Sequence, residues 1–257
     1  MRHRYCSLRL SQRGPLNDRR TVAASDELRR VHENLLQHGY AVTSDEAIGL
    51  PEKFRENFAQ TYFVDGVIRH DEGDYPIDRK RARDVVHYWW HGDKVRLEEY
   101  ETITITDRAG IKGKRDHARV ELLADPQARE FVETLLRFMP FPLRKPEGTF
   151  GVNLFRTFTN VVSKPHRDHE EFVYIYVLDR VGEGARTHLY TPESVTEDGR
   201  VTAAPILDQQ LQPGDIIVFD DKRYKHDASP LESPLGGQAM RDALICTIDS
   251  DETYLKA

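Results

Sequence analysis

Two positions apart in the run KPHRDHEEFVYIYVLDR stand a histidine and an aspartate, His166 and Asp168. Side chains of an extended chain alternate between faces, so an imidazole and a carboxylate at i and i+2 project to the same side and can converge on one cation. A distant third ligand completes a two-histidine, one-carboxylate facial triad, which leaves coordination positions open for a cosubstrate and oxygen. His226, in the strand-like run RYKHDASP, is assigned to that place. A second His-x-Asp, His91-Gly92-Asp93, follows Tyr88-Trp89-Trp90 in the N-terminal half. It lies upstream of the strand-rich region and is set aside, because His166-Arg167-Asp168 sits at the mouth of a strongly apolar strand.

The rest of the pattern supports the choice. His226 comes 58 residues after Asp168, behind a Pro-Gly-Asp turn and an apolar strand, and Arg241 comes 15 residues after His226. An arginine opening the strand RDALICTID suits a bidentate, charge-assisted grip on the distal carboxylate of a dicarboxylic cosubstrate such as 2-oxoglutarate.

Residues 150 to 250 resemble the double-stranded β-helix oxygenases. The run HRDHEEFVYIYVL, continued by GARTHLY, LQPGDIIVFDD and His226, closely resembles the bacterial L-isoleucine dioxygenase group that hydroxylates free amino acids. The resemblance implies that His166, Asp168 and His226 hold iron(II), that Arg241 anchors 2-oxoglutarate, and that dioxygen is the oxidant, with succinate and carbon dioxide as coproducts. Many relatives place Ser or Thr two residues after the anchoring arginine. Here that residue is Ala243, so the second contact to the carboxylate must come from elsewhere, with Tyr174, Thr187 and Thr247 as the alternatives. Because Asp168 fills the carboxylate position, hydroxylation is favoured over halogenation.

A free amino acid requires a cation for its carboxylate, an anion for its ammonium and an apolar wall for its side chain. Arg156 on the strand before the motif, Arg167 within it, and Glu170 or Glu171 just after it could supply the charges. His169 and His188 read better as supporting or surface histidines. Tyr88, Trp89 and Trp90 could line the pocket, and core packing explains them equally well. The expected substrate is a free aliphatic L-amino acid. The alternatives are a carrier-bound or peptide amino acid, desaturation or ring closure by the same chemistry, a cupin-like metalloenzyme, and a non-catalytic jelly-roll binding module.

The elements that must position these residues divide the chain in two. Before Pro146 the texture is helical. In DELRRVHENLLQH, Leu28, Val31, Leu35 and Leu36 share one side, a start signal lies at Ser25-Asp26 and Gly39 gives the stop. Further helices are expected from about Pro51 to Tyr62 and from Asp125 to Phe138, and Asp65 to Asp78 reads as a loop that could cover a site. After Pro146 come short apolar runs separated by turns: FGVNLFRTF, EFVYIYVLD, ARTHLYT, APILDQQL, DIIVFDD with YKHDASPL, and DALICTID. In EFVYIYVLD both faces are apolar, so that strand should be covered on both sides.

The expected fold is therefore α+β, a double-stranded β-helix (jelly-roll, cupin-like) core under an N-terminal helical layer. All 257 residues form one domain, with a basic tail over 1–24, helical support and a lid over 25–145, and the core over 146–252. Hydrophobic residues make up 39% and charged residues 31%, an ordinary globular balance with no stretch fit to span a bilayer. The net charge of −6 and the confinement of a basic run to the first 30 positions argue against a nucleic-acid partner. Two cysteines are too few for a disulfide framework, and the basic N-terminus lacks the apolar run of a secretory signal, so the expected compartment is the cytoplasm. Oligomeric state is not readable from these features.

Overall fold

The double apolar face of the strand after the His-x-Asp motif requires a layer on each side of it, and the computed structural model supplies both. It describes residues 15–70, 79–100, 118–158, 164–233 and 236–249. Chain order is α1 (Pro15–His38), β1 (Tyr40–Ser44), α2 (Phe54–Tyr62), β2 (Arg79–His91), β3 (Lys94–Glu99), α3 (Pro126–Leu136), β4 (Glu147–Thr157) and β5 (Phe172–Val181). It continues with β6 (Glu183–Gly184), β7 (Thr187–Tyr190), β8 (Leu207–Gln209), β9 (Asp215–Asp220), β10 (Lys225–Ala228), β11 (Leu231–Glu232) and β12 (Met240–Asp249).

A seven-stranded sheet runs β1-β9-β5-β12-β4-β2-β3, and a three-stranded sheet runs β10-β7-β8. All the pairings between named strands are antiparallel. The alternation of β5 explains the layering. Tyr174 and Tyr176 face the helices with Leu154, Leu244 and Cys246, whereas Val173, Ile175 and Val177 face inward with Leu189, Ile217, Phe219 and Ile245. On the helical side Phe131 packs 5.2 Å from Phe54 and 5.5 Å from Tyr176 between ring centroids. Each such ring contributes about 1.5–3 kcal/mol by leaving water.

One β-bulge alters the alternation. Ala243 pairs with Val177 and Asp242 with Asp179, so Leu178 is passed over. Leu178 packs with the helices like Tyr176, and the bulge sets Asp179 on that side too, so Arg180 stands on the inner face, in register with Arg241.

The N-terminal half departs from the helical expectation. Residues 79–99 form β2 and β3, which extend the large sheet beyond β4, and β1 extends its other edge against β9. In β2 the apolar face is Ala82, Val86 and Tyr88, while Arg79, Arg81 and Arg83 occupy the other face, which disguises the strand as a charged segment. The first helix starts at Pro15, inside the expected tail, and stops at Gly39, whose φ of +75° suits a residue without a side chain. Val31 and Leu35 are buried, but Leu36 is half exposed and does not share their face. The second helix begins at Phe54 rather than Pro51. The third is capped by Asp125, whose carboxylate accepts from the Gln127 N–H. The proposed covering loop falls mostly on residues 71–78, outside the described residues. No helix among the described residues is long and apolar enough to cross a membrane.

Candidate active site

The segment carrying His166 and Asp168 joins the edge of the small sheet. His166 N–H donates to the His226 carbonyl at 3.0 Å and His226 N–H returns the bond at 2.8 Å, forming an antiparallel bridge. This brings the two imidazoles to a centroid separation of 4.5 Å. Asp168 Oδ1 lies 3.4 Å from His166 Nε2, and its Oδ2 lies 3.6 Å from His226 Nε2. One ligand atom from each of the three residues falls within 4.8 Å of the others, a spacing that one ion can bridge.

The other nitrogen of each imidazole faces a protein oxygen, within hydrogen-bond reach for His166 and just beyond it for His226. The Nδ1 of His166 is 2.9 Å from the Lys164 carbonyl, which orients Nε2 toward Asp168. The Nδ1 of His226 lies 3.6 Å from Oδ1 of Asp221, a fully buried carboxylate whose Oδ2 accepts from the Glu170 N–H at 3.1 Å. Sequence reasoning missed Asp221. Its signal is a second aspartate directly after the apolar strand IIVFD, where the chain is still buried. Immediately after Asp168, His169 takes a φ of +63°, which turns the chain from the ligand segment into β5.

The electrostatics fit a cation. The hydrogen bond with Asp168 raises the His166 pKa against the opposing effect of burial. Burial pushes Asp168 up, but the hydrogen bond from His166 and the charges of His226 and His166 outweigh it and hold the carboxylate below its usual range. A metal competes with protons for these ligands, so metal affinity should rise with pH.

Arg241 opens β12 on the inner face, opposite Arg180. Burial and the Arg180 charge push it down to about 10, and its Nη2 is buried with no hydrogen-bond partner. Arg180 itself is tied to the carbonyls of Leu211, Gly182 and Gly184. Thr187, at the start of β7, is likewise buried, with an Oγ1 lacking a partner, and it faces the same way as Leu189 and His226. An unpaired guanidinium nitrogen and an unpaired hydroxyl, both in the interior, are suited to a carboxylate ligand.

Other expected contacts are corrected. Tyr174 cannot touch a cosubstrate, because the alternation of β5 sends it to the helical layer, where its hydroxyl donates to the Leu135 carbonyl at 3.1 Å. Arg156 is on that same outer side, in a bidentate pair with Asp242 at 2.7 and 2.6 Å and 5.8 Å from the Phe63 ring. Arg167 lies between the two ligands, so alternation turns it away from them, toward Glu193. Glu170 stays at the turn into β5, while Glu171 pairs with Lys222 at 3.3 Å. His188 is held between Asp227 and Asp208 on the outside of the small sheet. Tyr88 is a core residue, and Trp90 stacks under Arg144 at 4.2 Å. His91 and Asp93 flank the β2–β3 turn, exposed, with Asp93 3.6 Å from Arg144.

Comparison with known proteins agrees with this fold. The profile of the 2OG-Fe dioxygenase family matches residues 78–247, more than half of the chain. The chain belongs to that family: it is an iron(II)- and 2-oxoglutarate-dependent dioxygenase, with Fe(II), 2-oxoglutarate and O2 as its cofactors and cosubstrates. Among solved structures it is similar to a bsmA homolog from Methylobium petroleophilum PM1, at TM-score 0.69 and 17% identity over 87% of this chain and 93% of that one. The dioxygenase TqaL follows at 0.67 and 12%, over 90% and 91% of the two chains, and IDO from Bacillus thuringiensis at 0.63 and 15%, over 86% and 98%. At these identities the likeness is one of fold. No curated protein matches the chain in sequence.

Proposed function

We propose that this dioxygenase hydroxylates an unactivated C–H bond of a free aliphatic L-amino acid. His166, Asp168 and His226 hold the iron, and Arg241 with Thr187 binds the distal carboxylate of 2-oxoglutarate. The observation that carries the site assignment is the convergence of two Nε2 atoms and one carboxylate at the end of a barrel whose far end holds the unpartnered Arg241 Nη2. Bound iron with 2-oxoglutarate and dioxygen supplies the oxidising power for C–H cleavage, at the cost of one 2-oxoglutarate converted to succinate and carbon dioxide. The chain's own work is to fix the cosubstrate between Arg241 and the metal, keep three coordination positions free of side chains, and hold the substrate in a dry interior. Glu170, at the turn beside Asp168, is the proposed acceptor for the substrate ammonium.

The amino-acid reading is supported by the resemblance of HRDHEEFVYIYVL to the isoleucine-hydroxylating group. A reducing, cytoplasmic setting suits both iron(II) and the buried free thiol of Cys246. Anaerobic reconstitution with iron(II) and 2-oxoglutarate, then exposure to oxygen with each of the twenty amino acids, tests the reading by following succinate and product mass together. Product gain of one oxygen on leucine, isoleucine, valine or methionine is expected. Oxidation only of a peptide-embedded or carrier-tethered residue would leave the oxygenase and replace the substrate.

A further inference from the structure

The inner face of the large sheet continues past the barrel strands onto β4 and β2, and a glycine lies in that wall. Register fixes the row: Phe219 of β9, Val173 of β5, Thr247 of β12 and Gly151 of β4 are successive neighbours. The Phe219 ring is 5.0 Å from that of His226, so the row begins beneath the triad. Thr247 and Gly151 stand one and two strands from Val173, roughly 5 and 10 Å across the sheet. The next row brings Ile245, Asn153 and Arg83 side by side, and the Asn153 amide is fastened to the Ile245 carbonyl at 3.1 Å.

Arg83 leans over the glycine. A Cβ on Gly151 would stand 3.3 Å from Arg83 Nη2 and 2.9 Å from Thr247 Oγ1. The absence of a side chain at 151 thus lets the guanidinium and a hydroxyl close in over the strand, in the row that begins beneath the triad. Any side chain at 151 would displace one of them. A planar cation beside a hydroxyl donor matches a carboxylate, which accepts two parallel N–H bonds and one O–H bond.

From this geometry we infer that Arg83, seated over Gly151 beside Thr247, is the anchor for the carboxylate of the amino-acid substrate, and that Gly151 sets the room for it. The inference rests on the amino-acid reading above. It gives Arg83 the part that Arg156 cannot play from the outer face, and it makes the length between carboxylate and oxidised carbon a property of the β2–β4 wall.

The test compares L-leucine and L-isoleucine with their amides on the full-length, iron-loaded enzyme and on Arg83→Gln. Coupled turnover is read alongside anaerobic calorimetric binding of the amino acid in the presence of 2-oxoglutarate. The parent should prefer the acid. Arg83→Gln should raise KM and Kd for the acid about 30-fold or more, erase the acid-over-amide preference, and leave the 2-oxoglutarate requirement unchanged. Gly151→Ala should weaken the acid in the same direction with the iron complement intact. Should Arg83→Gln not fold, Arg83→Lys carries the test, keeping the acid preference at a raised KM; loss of that preference in the lysine variant counts against the anchor. Retained acid preference and unchanged KM in Arg83→Gln overturn the inference alone. If the parent enzyme binds and oxidises no free amino acid but oxidises a tethered one, the amino-acid reading falls and this assignment falls with it.

Discussion

The carboxylate of Asp221 stands 3.6 Å from Nδ1 of His226, on the opposite side of the imidazole from Asp168. It is completely buried, and its second oxygen is committed to the Glu170 N–H. Asp221 thereby stands behind the proposed ligand His226, placed to accept from its Nδ1–H after a small approach. Carboxylates in that relation to a ligating histidine influence metal affinity by roughly 10–100-fold. Asp221→Asn should fold, because its oxygen can still accept from Glu170, and should weaken iron(II) binding by about that factor in an anaerobic titration. Unchanged affinity would assign Asp221 to the turn alone.

The two His-x-Asp pairs give a direct contrast. His166→Ala or Asp168→Ala should abolish tight iron binding and coupled turnover. His91→Ala and Asp93→Ala, at the exposed turn between β2 and β3, should leave both nearly intact. Equal loss in the His91 variant would overturn the assignment of the site.

Cosubstrate grip can be read at its two contacts. Removing a charge-assisted bidentate partner in the interior costs about 2 to 5 kcal/mol, so Arg241→Ala should raise the 2-oxoglutarate KM steeply while iron still binds. Thr187→Val removes one hydroxyl at nearly constant shape and should cost about tenfold in the same constant. A Thr187→Val enzyme with the parent's KM would assign the second contact to another donor.

A separate pair of carboxylates governs stability. Asp84 is fully buried and accepts from the N–H groups of Val85 and Leu122, and the adjacent Glu99 accepts from Leu123. Burial first, and then the charge and hydrogen bond of Glu99, push Asp84 up to about 7 against the pull of the Leu122 and Val85 N–H groups. An aspartate whose folded pKa is raised contributes stability that is fully present below its unfolded pKa near 3.9 and lost as pH climbs through the folded value. Unfolding free energy should therefore fall between about pH 4 and pH 7 by roughly 2 to 4 kcal/mol from this group. Glu99→Gln keeps an acceptor for Leu123 and removes the competing charge, so denaturant melts at pH 5 and pH 8 should differ less in the variant than in the parent. An identical pH difference would dissociate the two carboxylates.

The barrel strands were legible because they follow from period-two alternation, EFVYIYVLD needing cover on both sides, and the same alternation is what suggested that His166 and Asp168 come together. The same rule, followed to the end of β5, would have removed Tyr174, which shares its face with Tyr176 rather than with Val173. Arg156 was misplaced for the same reason, since its alternation with Asn153 on β4 sets it on the helical side. β2 was obscured because its inner face carries Arg79, Arg81 and Arg83, and a strand with one charged face and one apolar face resembles the amphipathic helices around it. Asp221 was hidden by distance: nothing in the sequence states that the residue after β9 returns to the back of His226.

The β-bulge at Leu178 decides which charge the far end of the barrel presents to its interior. Plain alternation from Val177 would put Asp179 on the inner face and Arg180 among the helices; because Leu178 and Asp179 both stand on the outer side, the order is exchanged and Arg180 meets Arg241. The positive potential there is therefore encoded by a kink in one strand. Ironing that kink out would trade an arginine for an aspartate in the interior while leaving every charged residue of the chain in place.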